Sequence, residues 1–103
     1  MARRSQDWNE GLARDLRDDV FAREFLVAAV ESGLPLQQAL GKVIRAMGVT
    51  EFAQRVGMAS PNVQRAIHPR HNPTQATLDR LLAPFALRLS LAPVPKRRRR
   101  TAA

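Results

Sequence analysis

The chain has 103 residues, 45% of them hydrophobic, no cysteine, and a formal charge of +8. That length predicts one domain with one modest core, and the apolar content excludes wholesale disorder. Without cysteine there is no disulfide and no thiolate metal site; no apolar run approaches the roughly 20 residues that span a bilayer, and the start MARRSQDWNE lacks a signal-peptide core, so a soluble cytoplasmic protein is expected.

In chain order, residues 5–17 read as a polar helix, with Ser5 as cap and Trp8, Leu12 and Leu16 at helical spacing; Gly11 weakens it. Asp18 and Asp19 look like the start of a second helix, because carboxylates favour the positive end of the helix dipole. That helix is predicted to run to about Glu31 and to bury Val20, Phe21, Phe25, Ala28 and Ala29. Gly33 ends it and Pro35 opens the next. The third helix has the cleanest periodicity: Leu36, Ala39, Leu40, Val43, Ile44 and Met47 fall on one face, so it is a core helix closed by Gly48.

Residues 50–67, TEFAQRVGMASPNVQRAI, read as two short helices around a tight turn. Thr50 caps the first, which ends at Val56; Ala53 is small enough for a close crossing; Gly57 makes the break; Val63 plugs the angle. Ser60-Pro61 supplies a cap and a proline at the first helical position of the second, whose inner face is Val63 and Ile67. This is the pattern of a helix-turn-helix whose second helix enters the DNA major groove, and Asn62, Gln64 and Arg65 on its outer side are able to read base edges. HPRHNP, residues 68–73, is a loop by composition. Thr74 caps a further helix with the stripe Leu78, Leu81, Leu82 and Phe85, where Pro84 predicts a kink or an early end. Leu87, Leu89 and Leu91 alternate with Arg88 and Ser90 at strand period; the strand pairs with that of a second copy or lies as an extended tail on the helices. Lys96–Arg100 is a basic run, expected to be disordered in isolation, and is either a phosphate-binding arm or a solubilising tail.

Charge is unevenly spread. Residues 1–33 hold five Arg and seven acids, a net of −2, whereas residues 34–103 hold twelve Lys/Arg and two acids, a net of +10. No acid occurs from Gly57 to Gln75. The basic part suits phosphate; the acidic part is either a solvated face or the site for something basic. His68 and His71 lack further ligands at zinc spacing, Asp18 and Asp19 point apart on a helix, and there is no phosphate-binding glycine loop. Neither metal, cofactor nor enzymatic activity is expected.

The ordered blocks DDVFAREFLVAAVESG, ALGKVIRAMGVTEFAQRVGM, NVQRAIHPRHNPTQATLDRLL and LRLSL resemble the HigA-type addiction-module antidote (antitoxin) proteins, a branch of the Cro/phage-repressor (Xre) helix-turn-helix superfamily, over about residues 18–92. The resemblance implies an all-α, five-helix domain with a short dimerising C-terminal strand; the partly helical N-terminal extension over 1–17 and the basic tail over 93–103, expected to be disordered, lie outside it. It implies a homodimer that binds double-stranded operator DNA upstream of its own operon, and a small basic RelE/ParE-like toxin as partner. Family DNA readers match Ser60, Asn62, Gln64 and Arg65, with phosphate contacts from Arg70 and Asn72; Thr50 joins this DNA-facing set, and Leu87, Leu89 and Leu91 form the dimerising strand. Three positions depart from the pattern. Ala59 stands where the family has a capping Ser, so Ser60-Pro61 shifts the helix start by one; Pro84 interrupts the last helix; Ala86 replaces a glycine before the strand. Two other readings stay open: a solitary or phage-derived helix-turn-helix regulator without a toxin, and a protein-interaction module that never meets DNA.

Overall fold

The computed structural model describes residues 11–95. Ser5, Trp8 and the Lys96–Arg100 run lie outside the described residues. Every regular element among them is helical, and none is long and apolar enough to cross a membrane. A helical stretch over 11–15 leads into α1 (Asp19–Glu31), α2 (Leu36–Met47), α3 (Val49–Val56), α4 (Ser60–Ala66) and α5 (Gln75–Leu82), followed by a 3₁₀ turn (Ala83–Phe85).

The Asp18 carboxylate caps α1 as expected, accepting from the N–H groups of Val20 and Phe21 at 2.8 and 3.2 Å. The buried face of α1 differs from the one predicted. Of the predicted residues Ala29 is buried, but its companions are Ala22 and Leu26; Phe25 is only half-buried, Ala28 and Phe21 are exposed and Val20 is 69% exposed. The helix carries more apolar residues than one face can hold, and the stripe with two alanines is the one whose small side chains permit a close approach to α2. In α2 the predicted face is observed: Ala39, Leu40, Val43 and Ile44 are buried, and Leu36 and Met47 half-buried. Pro35 sits one residue before α2 rather than inside its first turn.

Gly48 alone separates α2 from α3. Its N–H donates to Ile44 and its carbonyl accepts from Phe52, both at 2.9 Å, and its φ of +100° turns the chain within one residue, a backbone only glycine adopts readily. Because that first bond of α3 runs to Gly48, Thr50 is inside the first turn and does not cap it, contrary to expectation. α3 ends at Val56 as predicted. Gly57, at φ +71°, completes a Schellman closure: Met58 N–H donates to Ala53 at 2.9 Å and Gly57 N–H to Gln54 at 3.3 Å.

The core is built from α1 on α2, α2 on α3 and α3 on α4, with the 3₁₀ turn packed under α1. Leu26, Leu40, Val43, Ile44, Phe52, Val63 and Leu81 are its largest fully buried side chains. Phe52 stacks on Phe85 with ring centres 6.0 Å apart, and the Arg55 guanidinium lies 6.0 Å above the same Phe85 ring. Arg55 also pairs with Asp19, tying α3 to α1, and the hydrogen bonds it donates to that carboxylate raise the Arg55 pKa. Pro84 ends α5 as predicted: the helix stops at Leu82 and tightens to 3₁₀.

No strand forms among the described residues, so the strand expected over 87–91 is not observed. The alternation is present only as far as Ser90: Leu87 and Leu89 are half-buried against the core while Arg88 and Ser90 are exposed, but Leu91 is exposed as well. A single copy offers no second strand to pair with, and the local hydrogen bonds go elsewhere. Leu87 N–H donates to Leu82 at 3.3 Å, and Leu89 N–H to the Asp79 carboxylate at 2.7 Å.

Candidate nucleic-acid interface

α4 is the second helix of the pair around Gly57. Val63, Ala66 and the following Ile67 are buried, and Ala53 of α3 is 1% exposed opposite them, which is the close crossing predicted from their sizes. The start of α4 is not where Ser60-Pro61 suggested. The Ala59 carbonyl accepts the first helical bonds, from Asn62 at 2.9 Å and Val63 at 3.2 Å, so Ala59 is the cap residue and Ser60 lies within the helix. No side chain caps this end. Pro61 has no N–H, and Asn62 and Val63 are served by Ala59, so the helix lacks a partner for few donors.

Of the four candidate readers on α4, Asn62, Gln64 and Arg65 are exposed and Ser60 is half-buried. At 100° per residue, Arg65 lies close to the middle of the outer face, with Asn62 and Gln64 on opposite flanks roughly 160° apart. Arg65 Nη1 donates to Asn62 Oδ1 at 3.3 Å, which steadies the long side chain beside the amide. The only ion pair among the described residues is that of Arg55 with Asp19, so no carboxylate holds Arg65 or Arg70.

Asn62, Arg65 and Asn72 line one notch between α4 and the segment leading to α5, together with Met58, His71, Thr74 and Thr77. Thr50, Ser60, Gln64 and Arg70 do not line it. Thr74 Oγ1 accepts from the N–H of Thr77 and approaches the Thr77 hydroxyl, both at 3.1 Å, so the cap predicted for α5 is formed. The loop between the helices is ordered locally: the Arg70 N–H donates to His68 Nδ1 at 3.1 Å, and the His68 and His71 rings meet edge-on with centres 5.4 Å apart.

Two residues outside the predicted set hold this surface in place. Gln37 Nε2, on α2, faces three carbonyls, that of Ala66 at the end of α4 and those of His68 and His71 in the loop, at 2.6, 2.7 and 2.9 Å. Two amide hydrogens thereby serve three acceptors, anchoring the end of α4 and the loop that bears Arg70 and Asn72. Arg80, on α5, donates from Nε to Val56 and from Nη2 to Gly57, both at 3.0 Å, and so straps the turn from the other side. These partners lie 23 to 34 residues away along the chain, beyond any local pattern; the sole cue was a polar Gln37 next to an apolar stripe. Comparisons with protein-family models, with characterised proteins and with solved structures returned no match.

Proposed function

We propose that the chain is a helix-turn-helix transcriptional repressor that acts as the antitoxin of a toxin–antitoxin pair and works by binding, without chemistry. In this reading α3 and α4 are the helix-turn-helix of a five-helix repressor domain. The carrying observation is the outer side of α4: three exposed side chains able to contact bases, Arg65 at the centre with no carboxylate paired to it, on a helix locked by the Gly57 turn, Gln37 and Arg80. Arg65 grips a guanine or a phosphate, and Asn62 and Gln64, on their separate flanks, meet different base pairs and favour adenine. Thr50 and Ser60 at the two helix starts, and Arg70 and Asn72 on the loop, supply positioning contacts to the backbone. A twofold dimer spaces two such helices by about 34 Å, one turn of duplex. The acid-rich first third, net −2 over residues 1–33, is suited to a small basic RelE/ParE-like toxin.

A gel-shift titration with the DNA upstream of the chain's own reading frame tests the DNA half. Arg65→Ala is expected to weaken operator binding by roughly 1–3 kcal/mol; equal binding by variant and parent removes Arg65 from the reading set. Co-expression with the neighbouring reading frame tests the antitoxin half: relief of that neighbour's growth arrest supports it. A neighbour with no toxicity leaves a solitary regulator instead.

A further inference from the structure

A groove of about 220 Å³ runs along α1, walled by Val27 and Val30 on one side and by Leu87 on the other, with Leu36 and Leu82 beneath. Val27 and Val30 are 40% and 44% exposed, so the groove is an unfilled apolar surface on a chain with a small core. Its two charged lining residues are Glu31 on the α1 wall and Arg88 on the other; they do not pair with each other. Beside the groove the chain leaves the core. Leu87 and Leu89 stay half-buried and the Asp79 carboxylate holds the Leu89 N–H, but Leu91 is 97% and Val94 73% exposed. Beyond Leu89, no backbone N–H of residues 90–95 finds an acceptor among the described residues.

We infer that the groove is the seat of the Leu91–Val94 arm of a second copy, so that two chains exchange arms reciprocally across a twofold axis. One chain thus carries both an apolar arm with nothing to pack on and an apolar groove with nothing in it, the self-complementarity an isologous interface requires. The charges agree. In the proposed exchange each arm enters the other copy's groove three residues after its own Arg88, which is thereby set to meet Glu31 on the α1 wall there, giving two opposite-charge pairs at the rim that favour this register. The rival occupant from the same chain, residues 96–103, carries five Lys/Arg and no large apolar residue, which does not suit this lining. Leu87 and Leu89 accordingly anchor the arm to its own core, and Leu91 reaches the other copy. This rests on the dimer proposed above and requires neither its DNA nor its toxin partner.

Sedimentation equilibrium of the full chain without DNA tests it. The parent is expected to be a dimer. Leu91→Asp, at a position bare in a single copy, is expected to keep the parent's far-UV circular dichroism and to raise the dimer Kd at least tenfold. Glu31→Arg is expected to raise it as well, and adding Arg88→Glu to that variant restores it to within threefold of the parent. A monomeric parent overturns both the exchange and the dimer. A parent dimer indifferent to Leu91→Asp and to the charge swaps overturns the exchange alone. A monomer whose groove instead captures the toxin does the same as the first result.

Discussion

Ala59 and Ala86 are alanines in positions that ordinarily go to other residues, and each leaves a measurable deficit. At Ala59 the backbone has the extended geometry of a cap residue, φ −73° and ψ 140°, but no hydroxyl or carboxylate to accept a helix N–H. Ala59→Ser is expected to stabilise the chain by about 0.5–1 kcal/mol, at the low end of capping effects because Pro61 offers no donor. Ala86 adopts φ 58°, the only non-glycine residue among those described with a left-handed backbone, as it closes the 3₁₀ turn with its N–H on Ala83 at 2.9 Å. A Cβ in that region costs on the order of 1 kcal/mol, so Ala86→Gly is expected to raise the chemical-denaturation midpoint by the equivalent of about 0.5–1 kcal/mol, despite the added freedom of the unfolded chain. Both are read by urea titration followed by circular dichroism, and a destabilised variant in either case contradicts the strain or capping argument.

Helix by helix, legibility follows how local each determinant is, except at Thr50 and Ser60, where a local cap signal is present but the helix starts earlier, at Gly48 and Ala59. The caps at Asp18 and Thr74, the glycine turn at Gly57 and the break at Pro84 are decided within about five residues, and all were readable from the chain alone. α2 was readable because it is buried on one strict face. The buried face of α1 is not legible in the sequence because nine of its thirteen residues are apolar and periodicity then selects no face; only packing against α2 does. The Gln37 clamp was invisible because its acceptors are carbonyls, which every residue has. Its removal has a distinctive effect. Gln37→Leu leaves the end of α4 and the loop without their donor, so binding to operator DNA is expected to weaken about tenfold while binding to unrelated DNA changes little, as measured by competition titration. An equal loss on both sequences assigns Gln37 to stability alone.

On the scale of the whole molecule, charge and apolar surface are sorted to different places. Basic residues dominate after residue 33, and the apolar surplus collects along α1 and the departing arm. Deleting residues 96–103 removes five cations and is expected to weaken binding to all DNA sequences alike, reducing the slope of log K against log salt by up to about four. An unchanged slope makes the tail a solubilising segment. The strap formed by Arg80 carries a consequence in the same electrostatic terms. The carbonyls of Val56 and Gly57 are the negative pole of α3, and they lie at the turn that leads into α4, where a phosphate backbone comes close if the proposed DNA complex forms. With the Arg80 guanidinium seated on that pole, the chain cancels in advance a repulsion that a polyanion would otherwise meet on arrival. The residue that holds the turn together thus also makes it approachable.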